Sequence, residues 1–262
     1  MQLVKQDRVF DGLANRFQSK IYDDPRGAIR LSILQDDLAP LIIQPEAGTQ
    51  PLQILDAGGG LGHMSIWMAQ QGHQVVLAEP SVEMLQRAES DIQRAGLEDS
   101  IHLVQSSVQE MADKGCGPFD LITFHAVLEW LAEPRAVLEQ LLHCLKPGGW
   151  LSLMFFSEHS TVMRRLIAGD FEILRQGTVA NHGRQGLAPI SPLKPEEVKG
   201  WLQDMDMVLE TWSGIRCFYD YMHHDVRKKA DMDTILPLER HYSRIEPWRS
   251  LARYQHMLCW KK

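Results

Sequence analysis

The stretch Ile54-Leu55-Asp56-Ala57-Gly58-Gly59-Gly60-Leu61-Gly62 decides the fold. Its first half is a short apolar run that closes on an acid. Its second half crowds glycines into a turn. Such a run reads as a buried strand, and the glycines mark where the chain turns into the next element. Glycine takes positive φ without a Cβ clash and lets the backbone approach a ligand closely. In an open α/β sheet, ligands sit beyond the carboxyl ends of the strands, at a turn of this kind. A dinucleotide loop carries G-x-G-x-x-G, with its pyrophosphate against the helix that follows. Counting from Gly58 reaches Gly60 but then His63, a poor fit. An acid at position 56 does not favour a bare pyrophosphate either.

Outward from this turn, strand and helix patterns alternate. Strands are expected at 52–56, 74–79, 101–105, 119–124 and 150–156, and helices at 62–71, 81–95 and 133–145. Ser81 is a natural cap for the second of these helices. Lys146-Pro147-Gly148-Gly149 reads as the turn into the fifth strand. Strands alternating with helices imply a parallel sheet covered on both faces, whose strands are apolar throughout, as these are. Residues 7–40 read as two helices separated by the turn Asp23-Asp24-Pro25-Arg26-Gly27, and 44–51 as a loop. Beyond the core, helices are expected at 159–168, 198–204 and 231–242, the last despite Pro237. Late strands are expected at 208–212, 215–219 and 254–260, and 177–195 reads as a mobile loop or lid. The whole is one domain, 1–262: an N-terminal helical segment (1–48), a ligand-binding core (50–156) and substrate-side elements (157–200 and 214–262).

Several positions at the strand ends carry chemistry. The second strand ends at Glu79, whose carboxylate can accept from both hydroxyls of a ribose. It can equally cap the helix at 81–95. The third strand runs into Ser106-Ser107-Val108-Gln109, where Val108 offers apolar contact and Gln109 hydrogen bonds to a flat ring. The fourth ends in Phe124-His125-Ala126-Val127-Leu128-Glu129-Trp130, and His125 reads equally as a ligand contact and as a structural histidine.

The spacing G-x-G-x-G at 58, 60 and 62 behind Asp56 resembles motif I of class I S-adenosylmethionine (AdoMet) methyltransferases. Together with the other strand-end positions it makes 50–156 similar to that class. This implies a doubly wound, mostly parallel, seven-stranded Rossmann-like α/β sheet. Asp56 would then attract the ammonium of the methionine moiety, directly or through water. The pattern from Phe10 to Tyr22, the segments 55–62, 124–130 and 146–155, and the tail around Gly214-Ile215-Arg216 and Arg253-Tyr254 further resemble bacterial tRNA 5-carboxymethoxyuridine methyltransferases. That resemblance covers nearly the full chain. It implies methylation of a carboxylate at the tRNA wobble position, with the anticodon stem-loop as partner. It also implies AdoMet contacts at Arg30, Gly58, Gly59, Glu79, Val108, Gln109 and His125, to which the glycine spacing adds Asp56 and Gly60. Arg30 would pair with the methionine carboxylate. One departure stands out: where a strongly basic run is expected near 178–186, this chain has only Asn181, His182 and Arg184.

A carboxylate substrate is anionic at neutral pH, with a reference pKa near 4, so no general base is required. What is needed is a cation to orient it; Arg216, Arg240, Arg244 and Arg253 are candidates, with Tyr242 and Tyr254 able to stack on a splayed base.

Charge argues against a basic coat; it permits a local anionic partner, with a solvated surface as the plainer reading. The net charge is −7. Residues 214–262 hold ten Lys/Arg against six Asp/Glu, a balance of +4 that leaves −11 on the rest. Four separated cysteines (Cys116, Cys144, Cys217, Cys259) form no CxxC pair, so neither a zinc site nor a redox motif is indicated and reduced thiols are expected. Met1 to Phe10 is polar, without the apolar core of a signal peptide, and no run approaches the roughly 20 apolar residues of a membrane span, so a cytoplasmic protein is expected. Two other functions share the cofactor positions: a small-molecule O- or N-methyltransferase, and a non-catalytic AdoMet-binding protein. A dehydrogenase ranks third because of His63.

Overall fold

The computed structural model describes residue 7 and residues 24–43, 50–113, 117–177 and 191–262. Seven strands form one sheet in the order β3-β2-β1-β4-β5-β7-β6. These are β1 (Gln53–Ala57), β2 (Gln74–Glu79), β3 (Ile101–Gln105), β4 (Phe119–His125), β5 (Leu145–Phe156), β6 (Met207–Ile215) and β7 (Tyr254–Lys261). The first five pair in parallel. β7 runs antiparallel between β5 and β6, so it alone is reversed. This is the mostly parallel, doubly wound sheet that the strand–helix alternation predicts.

The chain reverses direction across the sheet between β1 and β4, where the order leaves β1 toward β2 on one side and toward β4 on the other. A crevice opens at such a switch point, outside the carboxyl ends of the strands. Helices cover both faces. On one face α1 (Pro25–Ile42), α2 (His63–Gln70) and α3 (Val82–Ala95) bury Ile29, Ile33, Leu38, Met68 and Ala88 against Ile54, Leu77 and Leu121. On the other, α4 (Val108–Asp113), α5 (Pro134–Leu141) and a later helix, Pro195–Asp204, bury Met111, Leu138 and Val198 against Leu55, Ile122 and Phe155. The helical spacing read at Ile29, Ile33, Leu34 and Leu38 is the buried stripe of α1, each residue at most 2% exposed.

Four local expectations need correction. Residues 24–27 of the expected turn are instead the start of α1: the Asp24 side chain accepts from the Arg26 N–H and Pro25 occupies the first helical position, where its missing donor matters least. Lys146–Gly149 lies within β5, as an irregularity in its pairing with β4. The helix expected at 133–145 stops at Leu141 and tightens into a 3-10 turn before β5. No second strand forms at 215–219, because Arg216 takes a left-handed φ of +63° and the N–H groups of Cys217, Phe218 and Tyr219 all donate to the Glu239 carboxylate. After β5 come α6 (Glu158–Ala168), α7 (Phe171–Arg175), α8 (Pro195–Asp204), α9 (His224–Lys228), α10 (Met232–Tyr242) and α11 (Trp248–Leu251). The expected first N-terminal helix and residues 178–190 of the lid expected at 177–195 lie outside the described residues. So does Cys116; Cys144, Cys217 and Cys259 are buried free thiols. No described helix is long and apolar enough to cross a membrane.

Candidate active site

A cleft opens at the carboxyl ends of β1, β2 and β4, and the glycine turn is its floor. Gly58 and Gly59 both donate to the Ala78 carbonyl, at 2.8 and 3.2 Å, which ties the turn to β2. Gly58, Gly60 and Gly62 have φ of +72°, +58° and +77°. A Cβ on Gly58 would stand 2.6 Å from Val127, and one on Gly59 2.7 Å from the Asp56 carboxylate, so no larger residue fits either position. The crowding that marks this stretch in the sequence is thus a steric requirement of the turn.

Asp56 borders the cleft but is 3% exposed. Ser65 Oγ donates to one of its oxygens at 2.6 Å and Thr123 Oγ1 to the other at 2.7 Å. Burial raises its carboxyl above the usual range and these hydroxyls pull it back. Its immediate work is to pin β1, β4 and α2 together beneath the turn. Glu79 is similar: one oxygen accepts from the Gly60 N–H at 3.1 Å, the other from the Ser81 N–H at 3.0 Å. A carboxylate offers about four acceptor positions, so these two bonds are compatible with further ones to a ligand. The helix cap on α3 is Ser81 itself, whose Oγ accepts from the Met84 N–H.

Arg30 of α1 lines the cleft, 5% exposed, and forms no ion pair among the described residues. Its Nε has no hydrogen-bond partner among the described residues. The guanidinium lies 4.7 Å from the Tyr254 ring centre. Val108 borders the β3 side of the cleft as an apolar wall. Gln109 lines it too, but its side-chain amide donates to Asp7 at 2.6 Å, and Asp7 also accepts from the Ala132 N–H. Asp7 was not singled out in the sequence, since nothing local ties residue 7 to residues 109 and 132. His125 lines the cleft from the end of β4. Its Nε2 is 2.7 Å from Ser152 Oγ, and its buried Nδ1 has no partner among the described residues. Desolvation, with smaller contributions from His256 and Arg30, holds this imidazole well below its ordinary pKa and therefore neutral.

The six substrate-side candidates part company. Arg216 lies near Arg30, and Arg253 is hydrogen-bonded to Arg216 through the backbone, but neither lines the cleft. The Arg216 guanidinium lies 5.1 Å from the centre of the Tyr254 ring that Arg30 also contacts, and its Nε pairs with Asp220 at 2.8 Å. Arg253 lies 4.2 Å from the centre of the Phe156 ring and has no ion pair among the described residues. Burial depresses its guanidinium to about 10. Arg240, Tyr242 and Arg244 do not reach the cleft. Arg240 pairs with Asp36 at 2.6 Å and Arg244 with Asp37 at 2.6 Å, so both serve to dock α10 and its C-terminal end onto α1. Tyr242 packs against Phe218, His241 and Trp248. Glu129 was quoted in the sequence but given no role. It is 1% exposed, one of its oxygens has no partner, and burial pushes it up to about 7 despite hydrogen bonds from its own backbone and Phe156 and the nearby charge of Arg30. No cluster of metal-ligating side chains occurs among the described residues.

The fold recurs in known proteins. A family model described as a methyltransferase domain matches residues 30–228. A magnesium protoporphyrin IX methyltransferase from Synechocystis PCC 6803, solved with bound SAH, superposes with a TM-score of 0.63 at 15% identity, covering 97% of this chain and 96% of that one. The [4+2]-cyclase SpnF superposes as well, with a TM-score of 0.59 at 13% identity and 98% coverage of both. The sheet therefore does not by itself fix the reaction. In sequence, the Xanthomonas oryzae pv. oryzae (strain PXO99A) ubiquinone biosynthesis O-methyltransferase is 30% identical over 62% of this chain and 65% of its own length. The Escherichia coli (strain K12) tRNA 5-carboxymethoxyuridine methyltransferase is 38% identical over 98% of this chain and 97% of its own. Family model and cleft together define a methyltransferase of the doubly wound class. Within it, the chain belongs to the tRNA 5-carboxymethoxyuridine methyltransferase family.

Proposed function

We propose that this enzyme transfers the methyl group of AdoMet to the carboxylate of 5-carboxymethoxyuridine at the tRNA wobble position, in the cytoplasm, forming a methyl ester. The observation that carries the reading is the likeness to the Escherichia coli enzyme over 98% of the chain. It runs through the substrate-side segments, which a shared cofactor core does not explain.

The residues of the cleft fit the cofactor. Arg30, a buried cation whose Nε has no partner among the described residues, suits the methionine carboxylate. The Glu79 carboxylate at the cleft suits a ribose diol, and Val108 and Met84 offer apolar walls for a flat ring. Asp56, with both oxygens already holding hydroxyls, favours an ammonium through its charge. When bound, AdoMet supplies a methyl group activated by its attachment to sulfonium.

The protein's own contribution is alignment and desolvation. A carboxylate needs no base to become a nucleophile near neutral pH, given a reference pKa of about 4. Arg253 is assigned the orienting role, because Arg216 is already paired with Asp220 while Arg253 is a desolvated cation without a carboxylate. A carboxylate docking there gains a charge-assisted hydrogen bond. Tyr254, with Arg30 and Arg216 at its ring, offers an aromatic surface beside it for a splayed base. Trp130 and Leu131 line the cleft and exclude water, which strengthens the electrostatic interactions inside.

The test is to incubate the protein with AdoMet and total tRNA from a strain lacking the gene, and to digest to nucleosides for mass spectrometry. The expected product is 5-carboxymethoxyuridine heavier by one methylene, reverting in mild alkali as an ester does. An unchanged nucleoside profile with cofactor bound would overturn the tRNA assignment and leave a small-molecule acceptor in its place.

A further inference from the structure

A continuous line of hydrogen-bonding side chains crosses the sheet from α1 to the cleft. Asp37 of α1 is 3% exposed. Its Oδ1 accepts from Arg244 at 2.6 Å and from Ser213 at 3.0 Å. Its Oδ2 lies 2.7 Å from His256 Nδ1. His256 Nε2 lies 2.8 Å from Ser152 Oγ, which in turn lies 2.7 Å from His125 Nε2. The line steps from β7 through β5 to β4, and Ser152 and His256 are fully buried. His125 Nδ1, its last atom, is the one without a partner among the described residues.

Aspartate, histidine and serine in this order have the composition of a hydrolase triad, but not its use. Ser152 has no exposure and its oxygen is enclosed between two imidazoles, so no acyl group reaches it. Burying these groups is unfavourable unless each is satisfied, and a satisfied network instead fixes a unique arrangement.

The proton positions follow from the anionic end. The Asp37 carboxylate only accepts, so His256 carries its proton on Nδ1. Arg244 also pairs with Asp37 at 2.6 Å, which lets a single proton on His256, at Nδ1, complete the line. His256 Nε2 then accepts from the Ser152 hydroxyl. The Ser152 oxygen, its proton so committed, accepts from His125 Nε2–H. We propose that Asp37, His256 and Ser152 are positioning residues for methyl transfer, which hold His125 as its Nε2–H tautomer and present Nδ1 to the cleft as a bare acceptor. An acceptor suits the cationic end of the bound ligand, whose N–H groups and polarised C–H groups are donors. The proposal rests on this cleft being the site of methyl transfer, but its first measurement does not.

Full-length protein labelled with 15N-histidine reports tautomers directly through two-bond and three-bond 1H–15N correlations, and the His125→Gln variant assigns the signal. The wild type is expected to show His125 protonated on Nε2. Asp37→Asn is expected to reverse the line. Arg244 and Ser213 both donate to Oδ1, so they retain the amide oxygen there and turn the NH2 toward His256 Nδ1. His256 must then carry its proton on Nε2, Ser152 must donate to His125, and His125 must appear as the Nδ1–H tautomer. A comparable aspartate-to-asparagine change in a serine protease acts through the wrong tautomer with geometry intact. In the double variant Asp37→Asn/Ser152→Ala the reversal should not reach His125. The turnover of Asp37→Asn should fall roughly 10- to 100-fold, the range seen when partners orienting a functional histidine are removed. A wild-type His125 protonated on Nδ1 overturns the proposal whether or not any variant folds, and so does an Asp37→Asn spectrum unchanged at His125. The expected tautomers without any methylated tRNA would uphold the line and overturn the proposed substrate.

Discussion

Glu129 sits one residue from Trp130 in the cleft wall, close enough to Arg30 to feel its charge, and yet burial prevails over that attraction. In the unfolded chain its carboxyl titrates near 4.5, in the folded protein near 7. Between these values the native state holds a proton that the unfolded chain has released. Stability linked to this group is therefore full below about pH 4.5 and is lost as the pH rises through 7. The loss amounts to about 3 kcal/mol at one unit per 1.36 kcal/mol. Glu129→Gln fixes the neutral form. Urea midpoints should show the variant matching the wild type near pH 5 and exceeding it at pH 8. A wild-type midpoint that does not fall between those pH values, relative to the variant, would mean that Glu129 is ionised in the native protein.

At the scale of elements, the candidate arginines separate by what their own segments do. Arg240 is on α10 and faces Asp36 of α1 at the surface, both partners about half exposed. Such a pair stabilises by about 0–1 kcal/mol and touches nothing in the cleft. Arg253 immediately precedes β7, with its carbonyl accepting from Ser157 and its N–H donating to the Arg216 carbonyl, so its backbone is fixed where β7 begins. Arg240→Ala should leave kcat/KM on tRNA within about twofold, whereas Arg253→Ala should lower it roughly 10- to 100-fold, the equivalent of a charge-assisted hydrogen bond. Unchanged AdoMet affinity serves as the control for folding; equal effects of the two changes would remove Arg253 from its role. The same elements show what a sequence reveals. The β1 turn was legible because its requirements are local: three of its glycines have positive φ, and Gly58 and Gly59 leave no space for a Cβ. The 3-10 turn at Tyr219–Tyr221 was not. Residues 215–219 have the apolar character of a strand, but their N–H groups are taken by Glu239 some 20 residues later. The line from Asp37 to His125 was likewise invisible, since its contacts span 27, 104 and 219 positions.

Across the whole molecule, a protein of net charge −7 has to meet a polyanion. The surplus of +4 in residues 214–262 looks like the means, but the structure engages much of it internally. Arg216, Arg240, Arg244 and Arg249 pair with acids, and Lys261 donates to the carbonyls of Leu142 and Leu145. Lys228 and Lys229 at the end of α9 remain exposed, without an ion pair among the described residues, and Arg227 beside them lies over the Tyr219 ring. Single-stranded RNA contributes about −0.7 to the slope of log K against log salt for each phosphate neutralised. Replacing Lys228 and Lys229 with alanine should therefore make the slope shallower by roughly 1.4 if both meet phosphates. Anisotropy of a labelled anticodon stem-loop, titrated at several salt concentrations, measures this. AdoMet affinity should stay unchanged, because neither lysine borders the cleft. An unaltered slope would move the phosphate contacts away from α9. The sparse basic residues at 178–186 would then have to supply them, and the slope itself would count how many there are.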